Sequence, residues 1–303
     1  MGYGDWSKDA YTHLSADYAS KSADDIFSSS ACSDMLPRGI GIRESRDSDA
    51  HPTSLAVMVF LDVTGSMGRI PESIVKNELG TLMNTIIENG VEHPQILFAA
   101  IGDHISDSTP LQVGQFESST KDLDKWLTSM YIEGGGGGQD MESYLLAWLI
   151  AGRHTSIDCF EKRNEKGFLI TIGDEKSWDK IDSHRLKELM GYPQTDEVTD
   201  TQLLEEAQRL YNVYHIHVNE TSYRDDPEVL GYWRKMLGER LIILNDYHAI
   251  CATIATLIAV QHGVDIATVV SKFDAKTAGM VSTALAKVTT TIVAADDEGV
   301  IEL

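Results

Sequence analysis

The sequence predicts an α/β protein: a doubly wound, mostly parallel sheet of six strands in the order 3-2-1-4-5-6, with one antiparallel edge strand and helices on both faces. Three observations carry this. Short unbroken apolar runs recur, each long enough for a strand buried on both faces and short for a helix. Segments of helical period separate them, as right-handed crossovers require. Three of the runs (55–61, 95–102 and 168–173) end at an aspartate, Asp62, Asp103 and Asp174.

Residues 1–53 form a polar N-terminal extension. Tyr11, Leu14 and Tyr18 fall at helical spacing, and Arg43 to Asp49 read as a charged connector. The first strand is the seven-residue apolar run Leu55 to Leu61. Residues 70–89 then show helical period, with Pro71 in the opening turn and Asn89-Gly90 as C-cap. Residues 95–102 form the second strand, and Leu111 to Phe116 alternate as a half-exposed edge strand. Ser119 caps a helix through Met130, and the apolar helix Tyr144 to Ala151 follows a glycine run.

The strand 168–173 comes next, then helices near 183–190 and 201–211, and the strand Val213 to Val218. A helix over 226–237, a last strand 240–244 and a buried helix 247–262 complete a domain spanning 54–262. The remainder, 263–303, reads as a C-terminal extension of two short helices, about 265–273 and 277–288, with an acidic tail.

At 303 residues and 42% hydrophobic the chain can build a sizeable core. A formal charge of −22 disfavours nucleic acid and anionic membranes as partners. Cys32, Cys159 and Cys251 are odd in number and form no CxxC pair, which fits free thiols in a reducing compartment. No secretory h-region opens the chain, and the run Ile250 to Val260 is too short to span a bilayer. The expectation is a cytoplasmic protein.

Chemistry concentrates where the first strand ends. Asp62, Thr64 and Ser66 place one carboxylate and two hydroxyls at alternate positions, with Gly65 to let the loop bend. Such oxygens suit a hard cation like Mg²⁺, with Mn²⁺ or Ca²⁺ as alternatives. With the first strand between the second and fourth, Asp62, Asp103 and Asp174 emerge side by side, although 112 residues separate the first from the last. Five glycines, Gly134 to Gly138, precede Gln139, Asp140, Met141, Glu142 and Ser143. Ordering so many glycines is costly, so something needs their backbone close.

Asp62-x-Thr64-x-Ser66 at the end of a first strand resembles the metal-ion-dependent adhesion site of von Willebrand factor A domains. The resemblance covers residues 54–262 by element order, with identity at the three loops. It implies a Rossmann-like fold of the bacterial or phage intracellular type. Many family members carry a Thr five residues ahead of a helix alanine; here Glu142 stands five ahead of Ala147. That is similar to integrin β-type inserted domains, where a glutamate supplies the metal oxygen. The implied ligands are Asp62, Thr64, Ser66, Glu142 and Asp174, with Asp103, Gln139, Asp140, Ser143 and Glu175 behind or around them. Gln139 replaces an acid that in those domains serves a neighbouring cation, so a second metal is not implied.

The resemblance implies a non-enzymatic adaptor whose cation engages a carboxylate of a partner protein, alongside a MoxR-type AAA+ ATPase. An enzyme is the alternative. Asp62-Val63-Thr64-Gly65-Ser66 also resembles the Asp-Lys-Thr-Gly-Thr of P-type ATPases in the haloacid-dehalogenase superfamily, which makes Asp62 a phosphoryl-accepting nucleophile. Against it, Thr64 stands where that superfamily's phosphatases carry an acid/base aspartate, and the glycine loop has no counterpart. His215 and His217 share one face of a strand with no third ligand in view, and read as packing residues.

Overall fold

The structure, a computed structural model, describes residues 4–134, 141–191 and 196–298; the side chains of Ser66 and of residues 289–298 lie outside the description. Six strands form the central sheet: β1 (Leu55–Asp62), β2 (Pro94–Ile101), β3 (Leu111–Val113), β4 (Gly167–Gly173), β5 (Tyr211–Val218) and β6 (Leu241–Leu244). They lie side by side as β3-β2-β1-β4-β5-β6. All pairings are parallel except β2 with β3, where Ala99 faces Val113.

The chain also makes short strands that the sequence did not announce. Arg43–Ser45 pairs with Thr155–Ile157, Met141–Glu142 with Lys176–Ser177, and Lys180–Ile181 with Val198–Thr199. Counted over all twelve strands among the described residues, the sheet order is 4-3-2-7-11-12, which differs from the expected consecutive numbering for that reason.

Burial follows from the runs that made the strands. All eight residues of β1 and all eight of β2 are buried, as parallel strands covered on both faces must be. Neighbouring residues of β5 show that cover, because successive side chains point to opposite faces. Tyr214 accepts a hydrogen bond from Gln261 of the helix Ile250–Gln261 (3.0 Å), whereas His215 stacks on Trp233 of the helix Pro227–Leu237 at 3.5 Å between ring centroids.

The segment expected as one helix over 70–89 is irregular. A 3₁₀ turn at Gly65–Gly68 leads into Arg69–Ser73, a π-type turn at Ile74–Glu78 and a regular helix, Leu79–Glu88. At the far end, the helix expected to stop near 288 runs from Ala275 to Glu298. Gly299 to Leu303, the rest of the acidic tail, lie outside the described residues. Among the described residues no helix is long and apolar enough to cross a membrane. Cys32, Cys159 and Cys251 are free thiols.

The N-terminal extension is fastened to the sheet unit. Arg46 pairs with Asp158 and Glu161 (2.8 Å each), and Arg163 with Asp47 (2.8 Å). The helix Lys8–Tyr18 lays Tyr11 against Gly80, where a Cβ would stand 2.5 Å from the ring. Gly80→Val should therefore cost roughly 1–3 kcal/mol in urea unfolding. In a chain that already carries Tyr11→Ala, most of that cost should vanish, because the clash is removed with the ring.

Candidate functional site

The carboxyl ends of β1, β2 and β4 lie side by side at one edge of the sheet, the position where open α/β sheets build sites. Asp62 closes β1 and is 1% exposed. Its Oδ1 accepts from the amide of Thr64 at 2.9 Å and from the Thr64 hydroxyl at 2.6 Å. Its Oδ2 accepts from the hydroxyl of Tyr144 at 2.8 Å. Ser66 sits in the 3₁₀ turn after Thr64; its side chain is outside the described residues.

Glu142 arrives from a different part of the chain. The two-residue strand Met141–Glu142 pairs in parallel with Lys176–Ser177, which sets Glu142 opposite Ser177, just past Asp174. Further hydrogen bonds sew the loops together. The amide of Ser143 donates to Gly102 O (3.2 Å), and Ser143 Oγ accepts from the amide of His104 (2.7 Å). The amide of Trp178 donates to Glu142 O (3.1 Å), and that of Leu145 to Ser177 Oγ (3.0 Å). Glu142 is 2% exposed, and its Oε2 is buried with no hydrogen-bond partner.

Electrostatics show how close these groups are. Burial, then the Asp174 carboxylate, push Asp62 up to about 7. Burial, then Asp62, Glu175 and Asp107, push Glu142 up to about 10, with the Thr64 hydroxyl pulling the other way. Burial raises Asp174 as well, against a hydrogen bond from Thr221. The crevice thus gathers acids that cannot all ionise unaided.

Asp103, at the end of β2, is engaged by its own loop and by Trp178. Its Oδ1 accepts from the Ile105 amide (3.0 Å) and Trp178 Nε1 (2.8 Å), and its Oδ2 from the amide and hydroxyl of Ser106 (3.2 and 2.8 Å). It organises its own loop and ties Trp178 to it. Ser143 likewise serves as a staple between loops, through its amide and hydroxyl. Glu175 is partly exposed beside the crevice, and its carbonyl accepts from Trp233 Nε1 at 2.9 Å. Gln139 and Asp140 lie outside the described residues, with most of the glycine run.

Sequence reasoning missed three members. Asp107 is buried, and its Oδ2 accepts from the Asp103 amide (2.8 Å). Tyr144 is fully buried and reaches back to Asp62. Gly173 leaves room for that hydroxyl, because a Cβ there would stand 1.8 Å from it. A glycine ending a core strand is the one signal that pointed this way.

A divalent cation fits the chemistry of this set: every donor is oxygen, one acid oxygen is buried without a partner, and the acids raise one another. The carboxylates alone do not form a ligand cluster. Among the described residues no group of three or more His, Cys, Asp or Glu is placed to hold a metal ion, so hydroxyls and water would have to share the task.

No protein-family description and no curated protein matches the chain. Among solved structures, it is similar to the pilus adhesin SpaC of Lactobacillus rhamnosus GG (TM-score 0.44, 9% identity, covering 73% of this chain and 32% of that one). It is also similar to the proximal thread matrix protein 1 of the mussel byssus (TM-score 0.42, 11% identity, covering 69% and 47%). The chain thus spans about a third to a half of the length of these proteins.

The raised acids set a pH dependence in the absence of divalent cations. Asp62 and Glu142, ordinarily near 3.8 and 4.5, stay protonated in the folded chain up to about 7 and about 10. Their contribution is therefore fully present below the unfolded values and is lost as pH rises through the folded ones. Urea unfolding in chelator should show stability falling between about pH 4 and about pH 10. Glu142→Gln should flatten the upper part of that slope.

Proposed function

We propose that this chain is a cation-dependent protein-binding module, an adaptor of the von Willebrand factor A type, and not an enzyme. The observation that carries the reading is the buried, unpartnered Oε2 of Glu142 among the buried acids at the ends of β1 and β4. An uncompensated buried acid oxygen is costly, and a positive charge in the crevice would satisfy it.

Asp62, Thr64, Ser66, Glu142 and Asp174 would hold the ion, with Mg²⁺ favoured over Mn²⁺ or Ca²⁺ because hydroxyls are numerous in the set. When bound, it supplies an electrophilic position for a carboxylate from a partner protein. The residues of the chain do the rest. Thr64 and Tyr144 orient Asp62. Ser143 and Trp178 hold the three loops in register. Ile105, 56% exposed on the loop after β2, offers an apolar contact beside the crevice. The family resemblance adds a MoxR-type AAA+ ATPase as a partner class, and the charge of −22 disfavours nucleic acid and anionic membranes as targets. A cytoplasmic setting agrees with the free thiols.

Phosphoryl transfer by Asp62 is the less favoured reading. A nucleophilic carboxylate needs an open approach, and Asp62 is 1% exposed with hydrogen bonds on both oxygens.

Mg²⁺ at about a hundred times its dissociation constant should stabilise the chain by about 2.7 kcal/mol. Glu142→Gln and Asp174→Ala should abolish that gain while remaining folded. A partner retained in Mg²⁺ should be released by chelator, and a generic phosphate ester with Mg²⁺ should give no turnover. Unchanged melting with and without the ion, or turnover that vanishes in Asp62→Asn, would overturn the module reading.

A further inference from the structure

Two imidazoles face each other at the amino ends of β1 and β2, the opposite end of those strands from Asp62 and Asp103. His51 lies in the loop before β1, and His93 directly precedes β2. Both are pinned through the backbone. Ser48 and His51 exchange hydrogen bonds (2.9 and 3.1 Å), and the Leu55 amide donates to His93 O (3.0 Å). The two Nδ1 atoms stand 3.3 Å apart, with the rings at 73°. The pair on β5 differs, because its first ring is stacked on Trp233.

The far nitrogens say which atoms carry protons. His51 Nε2 meets Gly4 O at 3.2 Å. A carbonyl only accepts, so that contact keeps the His51 proton on Nε2 and leaves a lone pair on Nδ1. With no ion bound, a proton on His93 Nδ1 closes the gap between the rings. In the other tautomer of His93 that proton sits on Nε2, where Glu92 Oε2 stands 3.9 Å away. Asp5 Oδ1 is likewise 3.7 Å from His51 Nε2. An acceptor behind each ring is the arrangement that orients metal-bound histidines.

The separation selects the ion. Zn–N bonds of about 2.0–2.1 Å at a tetrahedral angle hold two nitrogens about 3.3–3.4 Å apart, whereas the right angle of a square-planar Cu²⁺ or Ni²⁺ site brings them to about 2.9 Å. The rings border a cavity of about 200 Å³ that Met83 and Ser118 also line. Ser118 is 3% exposed, and its hydroxyl is buried with no hydrogen-bond partner.

We propose that His51 and His93 form a zinc site through their Nδ1 atoms, with the Ser118 hydroxyl and water completing four positions. The chain supplies two imidazoles there and no third His, Cys, Asp or Glu among the described residues, so the ion keeps an exchangeable side. Bound, it ties the loop before β1 to the turn before β2. The site is independent of the acids around Asp62.

Zn²⁺ titrated into the full chain by calorimetry, with Mg²⁺ present, should bind as one ion per chain. His51→Gln and His93→Gln should each weaken that binding by about a hundredfold, the upper end of what an outer partner of a metal ligand contributes. Glu142→Gln, in the acid cluster, and His184→Gln, whose side chain is 82% exposed, should leave it unchanged. Absence of Zn²⁺ binding, or binding that survives both His51→Gln and His93→Gln, would overturn the inference without touching the Mg²⁺ reading. Should both variants fail to fold, nitrogen NMR of the parent decides. Zn²⁺ should then shift the Nδ1 signals of His51 and His93, and signals that stay in place would overturn the site equally.

Discussion

The rest of the structure is arranged around a sheet buried on both faces, with acids gathered at its carboxyl edge. β1, β2 and β4 bury their whole length, so the chain can turn polar only where they end. Because these strands are parallel and adjacent, their ends coincide, and the side chains that follow enter one poorly solvated crevice. Burial then raises Asp62, Glu142 and Asp174, and repulsion from neighbouring acids adds to the rise of Asp62 and Glu142. A fold optimised only for stability would place apolar groups there.

Beneath that crevice lies a block of rings. Tyr144, His215, Trp233 and Trp148 contact one another edge-on or stacked. The block supports two of the loops above it: Tyr144 holds Asp62, and Trp233 holds the carbonyl of Glu175. His215 belongs to this packing. Burial holds it well below its ordinary value, and the neutral ring meets the Thr171 hydroxyl at 2.9 Å. Burial also lowers His217, to about 4. His215 is thus part of this ring block.

Most of the framework was legible from local pattern. Unbroken apolar runs, helical periods and caps such as Ser119 and Thr199 marked elements within a few residues. Features that depend on distant neighbours were not legible. The strand Arg43–Ser45 reads as a charged connector, since what orders it is distant: its pairing with Thr155–Ile157, the ion pairs of Arg46 and the hydrogen bonds to Gln95. The π-type turn at Ile74–Glu78 interrupts a segment whose period looks regular, where buried Glu78 meets Ser73 and Tyr11 packs on Gly80. Asp103 follows the end of β2, and its oxygens accept from its own loop and from Trp178.

The sequence by itself determined that Asp62 and Asp174 would follow core strands and that a glycine-rich loop would bring Glu142 to the start of an apolar helix, because strand ends and helix starts are local properties. Only the tertiary structure decided that Glu142 would keep a buried oxygen without a partner, that Asp107 would crowd it, and that Tyr144 would reach Asp62 through the space left by Gly173. Those facts depend on distances between segments far apart in the chain. Charge interactions and steric exclusion act through such distances, and no local pattern of residues encodes them.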